Sequence, residues 1–168
     1  MTQANGKVEG KTGVLFVCLG NICRSPLAEG VFLDLARNQG IADHFDVDSA
    51  GTGNWHVGEK PDGRALAVAK KHGVTLVSVA RQVDPAHDFS QFDWIIPMDR
   101  DNERDLLTLG ARRQRTRLLR SFDPALSAET GADLDVPDPY FGQGDGFERV
   151  FAMIERACAG ALRQLSNA

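Results

Sequence analysis

Short apolar runs alternate along the chain with stretches whose apolar positions recur at three- and four-residue steps. Residues 14–17, Val-Leu-Phe-Val, form a β-rich run suited to a buried parallel strand. In residues 26–39, Leu27, Val31, Phe32, Leu35 and Ala36 fall on one helical face. Ser25-Pro26 supplies a start signal for that helix and Gly40 a stop. Residues 45–49 alternate and predict a second strand, followed by a Gly-rich loop over 51–58. Residues 62–72 predict a helix with Ala65, Leu66 and Ala69 inward and Gly73 as its stop. Residues 94–96 predict a third strand, ended by Pro97-Met98-Asp99. Residues 99–109 open with acids that favour a helix N-terminus. Residues 116–119 predict a fourth strand. Residues 121–145 are Pro/Asp/Gly-rich and aperiodic, and loops of that length are often functional. The final helix carries the longest stripe, from Phe147 through Val150, Phe151, Ile154, Ala157, Cys158, Ala161 and Leu162 to Leu165.

Strands that alternate with helices predict an α/β fold. The expectation is a four-stranded parallel sheet with helices on both faces, flavodoxin-like, in strand order 2-1-3-4. Ligands of such sheets bind at the carboxyl ends of the strands. Residues 1–12 are polar, lack an apolar signal core, and are expected to form a disordered tail before a single domain over 13–168. The length suits one domain with its own core. The charge balance, 19 Lys+Arg against 23 Asp+Glu, disfavours a general nucleic-acid binder. No apolar run reaches the roughly 20 residues needed to cross a bilayer. Three cysteines, an odd number, argue against a disulfide scaffold, and free thiols without an export signal predict a reducing cytoplasm.

Two of those cysteines lie in the segment Cys18-Leu19-Gly20-Asn21-Ile22-Cys23-Arg24-Ser25-Pro26, between the first strand and the first helix. A loop in that position aims backbone N–H groups at one spot, and the helix dipole makes the spot electropositive. Gly20 and Asn21 tolerate the left-handed backbone a tight cradle needs. Arg24 offers a planar fork of donors that matches phosphate oxygens. Cys18 sits at the strand end, where the same groups stabilise a thiolate. This Cys-x5-Arg-Ser pattern is that of cysteine-dependent phosphatases. The alternative is a buried core cysteine beside a surface arginine.

Residues 17–26 resemble the signature loop of the low-molecular-weight protein tyrosine phosphatases. The likeness continues through Ser49-Ala50-Gly51-Thr52, Trp55-His56, Pro61-Asp62-Gly63-Arg64-Ala65, Ala80-Arg81-Gln82 and Met98-Asp99 to Asp138-Pro139-Tyr140. The resemblance implies hydrolysis of phosphotyrosine and aryl phosphate monoesters through a phosphocysteine. Cys18 would be the nucleophile, and Arg24 with the amides of residues 19–24 would hold the phosphoryl oxygens. Ser25 would ease departure of the sulfur. No metal or other cofactor is implied. The partners would be tyrosine-phosphorylated proteins, met by a monomer.

Phosphate-ester cleavage needs an acid for the leaving oxygen. The long loop holds Asp123, Asp133, Asp135 and Asp138, and the residues alone do not choose among them; the resemblance falls on Asp138. It also implies Asn21 held by Ser25 and Ser49, with Ser78 standing where many members carry a histidine, and Trp55 and Tyr140 as aromatic walls. Trp55 otherwise packs on its own loop. Cys23 is either a small buried residue or the redox partner of Cys18. Cys158 reads as core. The arginines at 112, 113, 115, 117 and 120 read as a solvated face or a docking patch. Three rival functions remain. An arsenate reductase would need a later cysteine pair, and no cysteine occurs between Cys23 and Cys158. A phosphoarginine phosphatase tends to carry Thr at the position of Ile22. A catalytically dead phosphopeptide-binding module would be expected to lose Cys18 or Asp138.

Overall fold

A computed structural model describes residues 9–126, 133–142 and 144–166. The predicted tail lies largely in residues 1–8, outside the described residues, and Thr12 already belongs to the first strand. The strands are β1 (Thr12–Cys18), β2 (Phe45–Gly51) and β3 (Trp94–Pro97). The helices are α1 (Arg24–Asn38), α2 (Gly63–Lys71), α3 (Pro85–Gln91), α4 (Arg100–Thr108) and α5 (Gly146–Ser166). The sheet is parallel with order β2-β1-β3. Among the described residues no helix is long and apolar enough to cross a membrane.

β1 is central and its side chains alternate between two cores. Val14, Phe16 and Cys18 enter the cluster shared with α1, α2 and α5. Leu15 and Val17 enter the one built with Val83, Phe92, Ile95 and Leu106. Both faces of the sheet are therefore covered, which is why residues 14–17 are continuously apolar. Gly160 on α5 permits the close approach of that helix to the carbonyl of Phe122, since a Cβ there would lie 1.9 Å from the oxygen.

The predicted fourth strand is reduced to a single bridge from Thr116 to Ile95, with Arg117 N–H donating to the Ile95 carbonyl at 3.1 Å. Among the described residues the sheet has three strands, because the chain then winds into a 3-10 turn at Leu119–Phe122. Leu119 and Phe122 are both fully buried in the α1/α5 core. Three residues apart, they share a side of a 3-10 turn, whereas an extended strand would send them to opposite faces. Helix α3 carries no apolar stripe to announce it. It is fastened by Pro85 in its first turn and by Asp88, fully buried, which bonds the Asp84 N–H at 2.8 Å and Arg81 at 2.9 Å.

Candidate active site

β1 ends at Cys18, level with Gly51 at the end of β2. From there the chain turns through residues 19–23 into α1, whose N-terminus has no side-chain cap. Asn21 stands at φ 58°, the left-handed region that an asparagine tolerates. Its side chain over-determines that conformation. The amide nitrogen donates to Ser25 Oγ at 2.8 Å and to Ser49 Oγ at 3.0 Å, and Oδ1 accepts the Arg81 backbone N–H at 3.0 Å. The Asn21 N–H in turn points at Cys18 Sγ, 3.3 Å away, and Ser25 Oγ lies 3.0 Å from the same sulfur. The β2 end is stapled to this loop by Thr52 N–H to the Cys18 carbonyl and Gly53 N–H to the Leu19 carbonyl, each at 2.9 Å.

Behind the loop the chain of bonds continues to a residue the sequence did not single out. Ser49 Oγ donates to Glu29 Oε1 at 2.6 Å. Glu29 is only 7% exposed, and burial pushes its carboxyl up to about 7 against the lowering effect of the Ser49 bond. Ser78 does not join this network. Its hydroxyl is buried without a hydrogen-bond partner among the described residues, and the Arg81 amide takes the third place on Asn21 instead. Arg81 is itself clamped by Asp48 at 3.0 Å and Asp88 at 2.9 Å, so the amide is held from behind.

Arg24 is 3% exposed. One terminal nitrogen, Nη1, donates to Asp99 Oδ2 at 2.6 Å and to the Val136 carbonyl at 2.9 Å. Burial works against its charge, but Cys18 and Asp99 outweigh it and raise the guanidinium above its ordinary value. Nη1 is thus committed to structure, leaving the Nη2 and Nε hydrogens for a ligand. Asp99 also caps α4 in a reciprocal capping box with Asn102.

The four candidate acids separate cleanly. Asp123 is buried and pairs with Arg156 at 3.5 Å. Asp133 accepts the Asp135 N–H, and Asp135 accepts the Arg100 N–H at the start of α4. Asp138 alone of the four lines the cleft above Cys18, with Oδ2 3.7 Å from Arg24 Nη2. Its segment is anchored by Val136 N–H to the Met98 carbonyl at 2.8 Å and by Arg64, which donates to the Tyr140 carbonyl at 3.1 Å.

The cleft has a volume of about 230 Å³. It is lined by Cys18, Gly20, Ile22, Cys23 and Arg24 together with Trp55, Tyr140 and Asp138. His56 and Phe141 complete the walls. Trp55, 69% exposed, lies across Gly53 so closely that a Cβ there would meet the indole at 1.9 Å. Burial, then Asp62 and Cys18, push the Cys23 thiol up to about 12. Cys158 is fully buried in the core, as expected. Of the arginine group, Arg115 and Arg117 lie over Trp94 and Phe122, and Arg120 donates to the Asp135 carbonyl.

A parallel sheet whose central strand delivers a thiol beneath a phosphate-sized loop, with a buried arginine at the loop's end, defines an α/β protein built for thiol chemistry on phosphate esters. The family model for "Low molecular weight phosphotyrosine protein phosphatase" matches residues 13–168. The low-molecular-weight protein-tyrosine-phosphatase of Streptomyces coelicolor is 46% identical over 152 residues, 89% of this chain and 90% of that one. The crystal structure of a protein tyrosine phosphatase from Entamoeba histolytica superposes with a TM-score of 0.84 at 37% identity, covering 94% of this chain and 98% of that one. The Drosophila arginine phosphatase superposes at 0.80 with 34% identity, covering 90% and 96%. The chain belongs to the low-molecular-weight protein-tyrosine-phosphatase family of phosphoric monoester hydrolases.

Proposed function

We propose that this protein hydrolyses phosphotyrosine and aryl phosphate monoesters through a phosphocysteine on Cys18. The observation that carries the reading is the juxtaposition in one aromatic-walled cleft of Cys18, the buried Arg24 and Asp138. The Cys18 thiolate attacks phosphorus in line. The bond from phosphorus to the aryl oxygen breaks, and Asp138 gives its proton to the departing phenolate. Water then attacks the phosphocysteine while the Asp138 carboxylate takes its proton. The S–P bond breaks, phosphate leaves and the thiolate is restored. Negative charge stays on the equatorial oxygens throughout, where the loop amides and the free edge of Arg24 hold it. Ser25 Oγ, 3.0 Å from the sulfur, stabilises the thiolate as it leaves.

Trp55 and Tyr140 favour a flat phenyl ester, and the recessed sulfur favours the longer phosphotyrosine over phosphoserine. The partners in this reading are tyrosine-phosphorylated proteins, and the free thiols suit a reducing cytoplasm. Cys23 supports a protective role. Peroxide oxidises the Cys18 thiolate to a sulfenic acid, releasing hydroxide, and the Cys23 thiol then displaces water to give a disulfide.

A phosphoarginine substrate, a phosphoramidate whose P–N bond would be cleaved, is the second reading, favoured by the similarity to the Drosophila arginine phosphatase. Ile22 in the cleft lining and the aromatic walls weigh toward the aryl ester. The test compares wild type, Cys18→Ser and Asp138→Ala on an aryl phosphate, a phosphotyrosine peptide and phosphoarginine. The expected result is turnover of the first two by wild type and its abolition by Cys18→Ser. Retained activity in Cys18→Ser, or turnover of phosphoarginine alone, overturns the reading.

A further inference from the structure

A second depression, of about 300 Å³, adjoins the catalytic cleft and shares two of its walls, Leu19 and Trp55. Its other lining residues are Thr52, Gly53, Asp105, Thr108 and Leu109. Three large apolar side chains on it face water: Trp55, Leu19 at 40% exposure and Leu109 at 47%. Contiguous exposed apolar groups at the rim of a functional cleft mark contact with a ligand. The base is rigid and tied to the catalytic loop. Thr52 and Gly53 donate to the carbonyls of Cys18 and Leu19, and Gln82 Nε2 donates to the Thr52 carbonyl at 3.1 Å.

Two polar features set the chemistry of the occupant. The Asp105 carboxylate is partly exposed, and Arg104 approaches it only to 3.6 Å, beyond hydrogen-bond range. Its oxygens are therefore open to a second cation. The Thr52 hydroxyl is buried and has no hydrogen-bond partner among the described residues. An occupant with an aliphatic stem and a positive tip matches the Leu19–Trp55–Leu109 surface and the Asp105 carboxylate together.

We propose that this groove is a specificity subsite, resting on the phosphotyrosine reading above, that takes a lysine or arginine near the phosphotyrosine in the substrate chain. The phosphotyrosine ring occupies the catalytic side of Trp55, and the basic side chain lies on the other side with its tip at Asp105. Leu109 and Asp105 belong to or directly follow α4 and touch no reacting atom, so they act on substrate choice.

The experiment uses phosphotyrosine peptides in an alanine-rich host, each with Lys or Glu at one position within three residues of the phosphotyrosine. At one such position wild type should turn over the Lys peptide with a kcat/KM about fivefold or more above that of the Glu peptide, the scale of a partly exposed charge pair. Added salt should reduce that ratio. Asp105→Lys should bring the ratio to one or invert it, and Asp105→Asn should give an intermediate value. Leu109→Ser should raise KM for the Lys peptide and leave its kcat in place. Equal turnover of Lys and Glu peptides at every position, or a ratio that Asp105→Lys leaves intact, overturns the subsite while leaving the phosphotyrosine reading standing. Failure of wild type to hydrolyse any of the peptides overturns both.

Discussion

Replacing Glu29 by Gln separates the electrostatic cost of a buried carboxyl from the hydrogen bond it accepts. Glu29 packs behind the catalytic loop, 7% exposed, with Ser49 Oγ donating to it at 2.6 Å. Burial raises its pKa from 4.5 to about 7, with Asp48 adding to the rise and Ser49 and Arg81 opposing it. Between those two values the folded protein holds a proton that the unfolded chain releases. Stability from this group is therefore complete below about pH 4.5 and is lost as pH rises through about 7. A shift of this size corresponds to about 3 kcal/mol, of which roughly 2.5 kcal/mol falls between pH 5 and pH 8. That is a large share of the ~5–15 kcal/mol that holds an ordinary domain together. The assay is equilibrium unfolding in urea of wild type and Glu29→Gln at pH 5, 6, 7 and 8. Gln can still accept from Ser49 through its carbonyl, so most of the difference at low pH is local repacking. The stability of the variant relative to wild type should rise by about 2.5 kcal/mol across the series, most steeply below pH 7. A difference that stays flat with pH would show that Glu29 is ionised in the folded protein throughout, and the reasoning fails.

Three further outcomes follow from the site geometry. Asp99→Asn keeps the cap on α4, since Asn caps as well as Asp, but removes the charge paired with buried Arg24. The free protein should lose about 3–5 kcal/mol, and inorganic phosphate should raise its melting temperature by more than it raises that of wild type. Asn21→Ala strains a residue at φ 58° and deletes three hydrogen bonds, so kcat on an aryl phosphate should fall sharply; Asn21→Gly should recover roughly 1 kcal/mol of stability but not kcat. Cys23→Ser should retain turnover, while its inactivation by peroxide should become irreversible by thiol reductants where that of wild type is reversed.

The parts of this molecule legible in its sequence are those written in local patterns. Residues 14–17 and the stripe from Phe147 to Leu165 announced their elements because burial there repeats with the period of the backbone. The loop from Cys18 to Ser25 was legible because its function compresses nucleophile, left-handed residue and arginine into eight positions. Contacts made at long range were not. The fourth strand dissolved at Leu119 because two buried side chains three residues apart are better served by a 3-10 turn. Helix α3 is fixed by the ion pair of Asp88 with Arg81, which no periodicity carries. Glu29 reads as an ordinary polar position on α1, and only the fold brings it to Ser49, twenty residues away. Asp99 read as a helix-opening acid, and its grip on Arg24, across 75 residues, needed the sheet to be assembled. Ser78 stands where the resemblance implies a histidine, and its shorter side chain finds no hydrogen-bond partner among the described residues.

The central claim is that turnover passes through a covalent bond between phosphorus and Cys18. Its most direct test is rapid acid quenching of the Asp138→Ala variant during turnover of an aryl phosphate that is labelled on phosphate and whose acidic phenol departs without a proton, so that only the second step needs Asp138, followed by digestion and mass mapping. The account predicts a phosphoryl group bound to the peptide that contains Cys18, formed within the first turnover and absent from the same experiment with Cys18→Ser. Product release with no protein-bound phosphate at any quench time, or label on a residue other than Cys18, would contradict it.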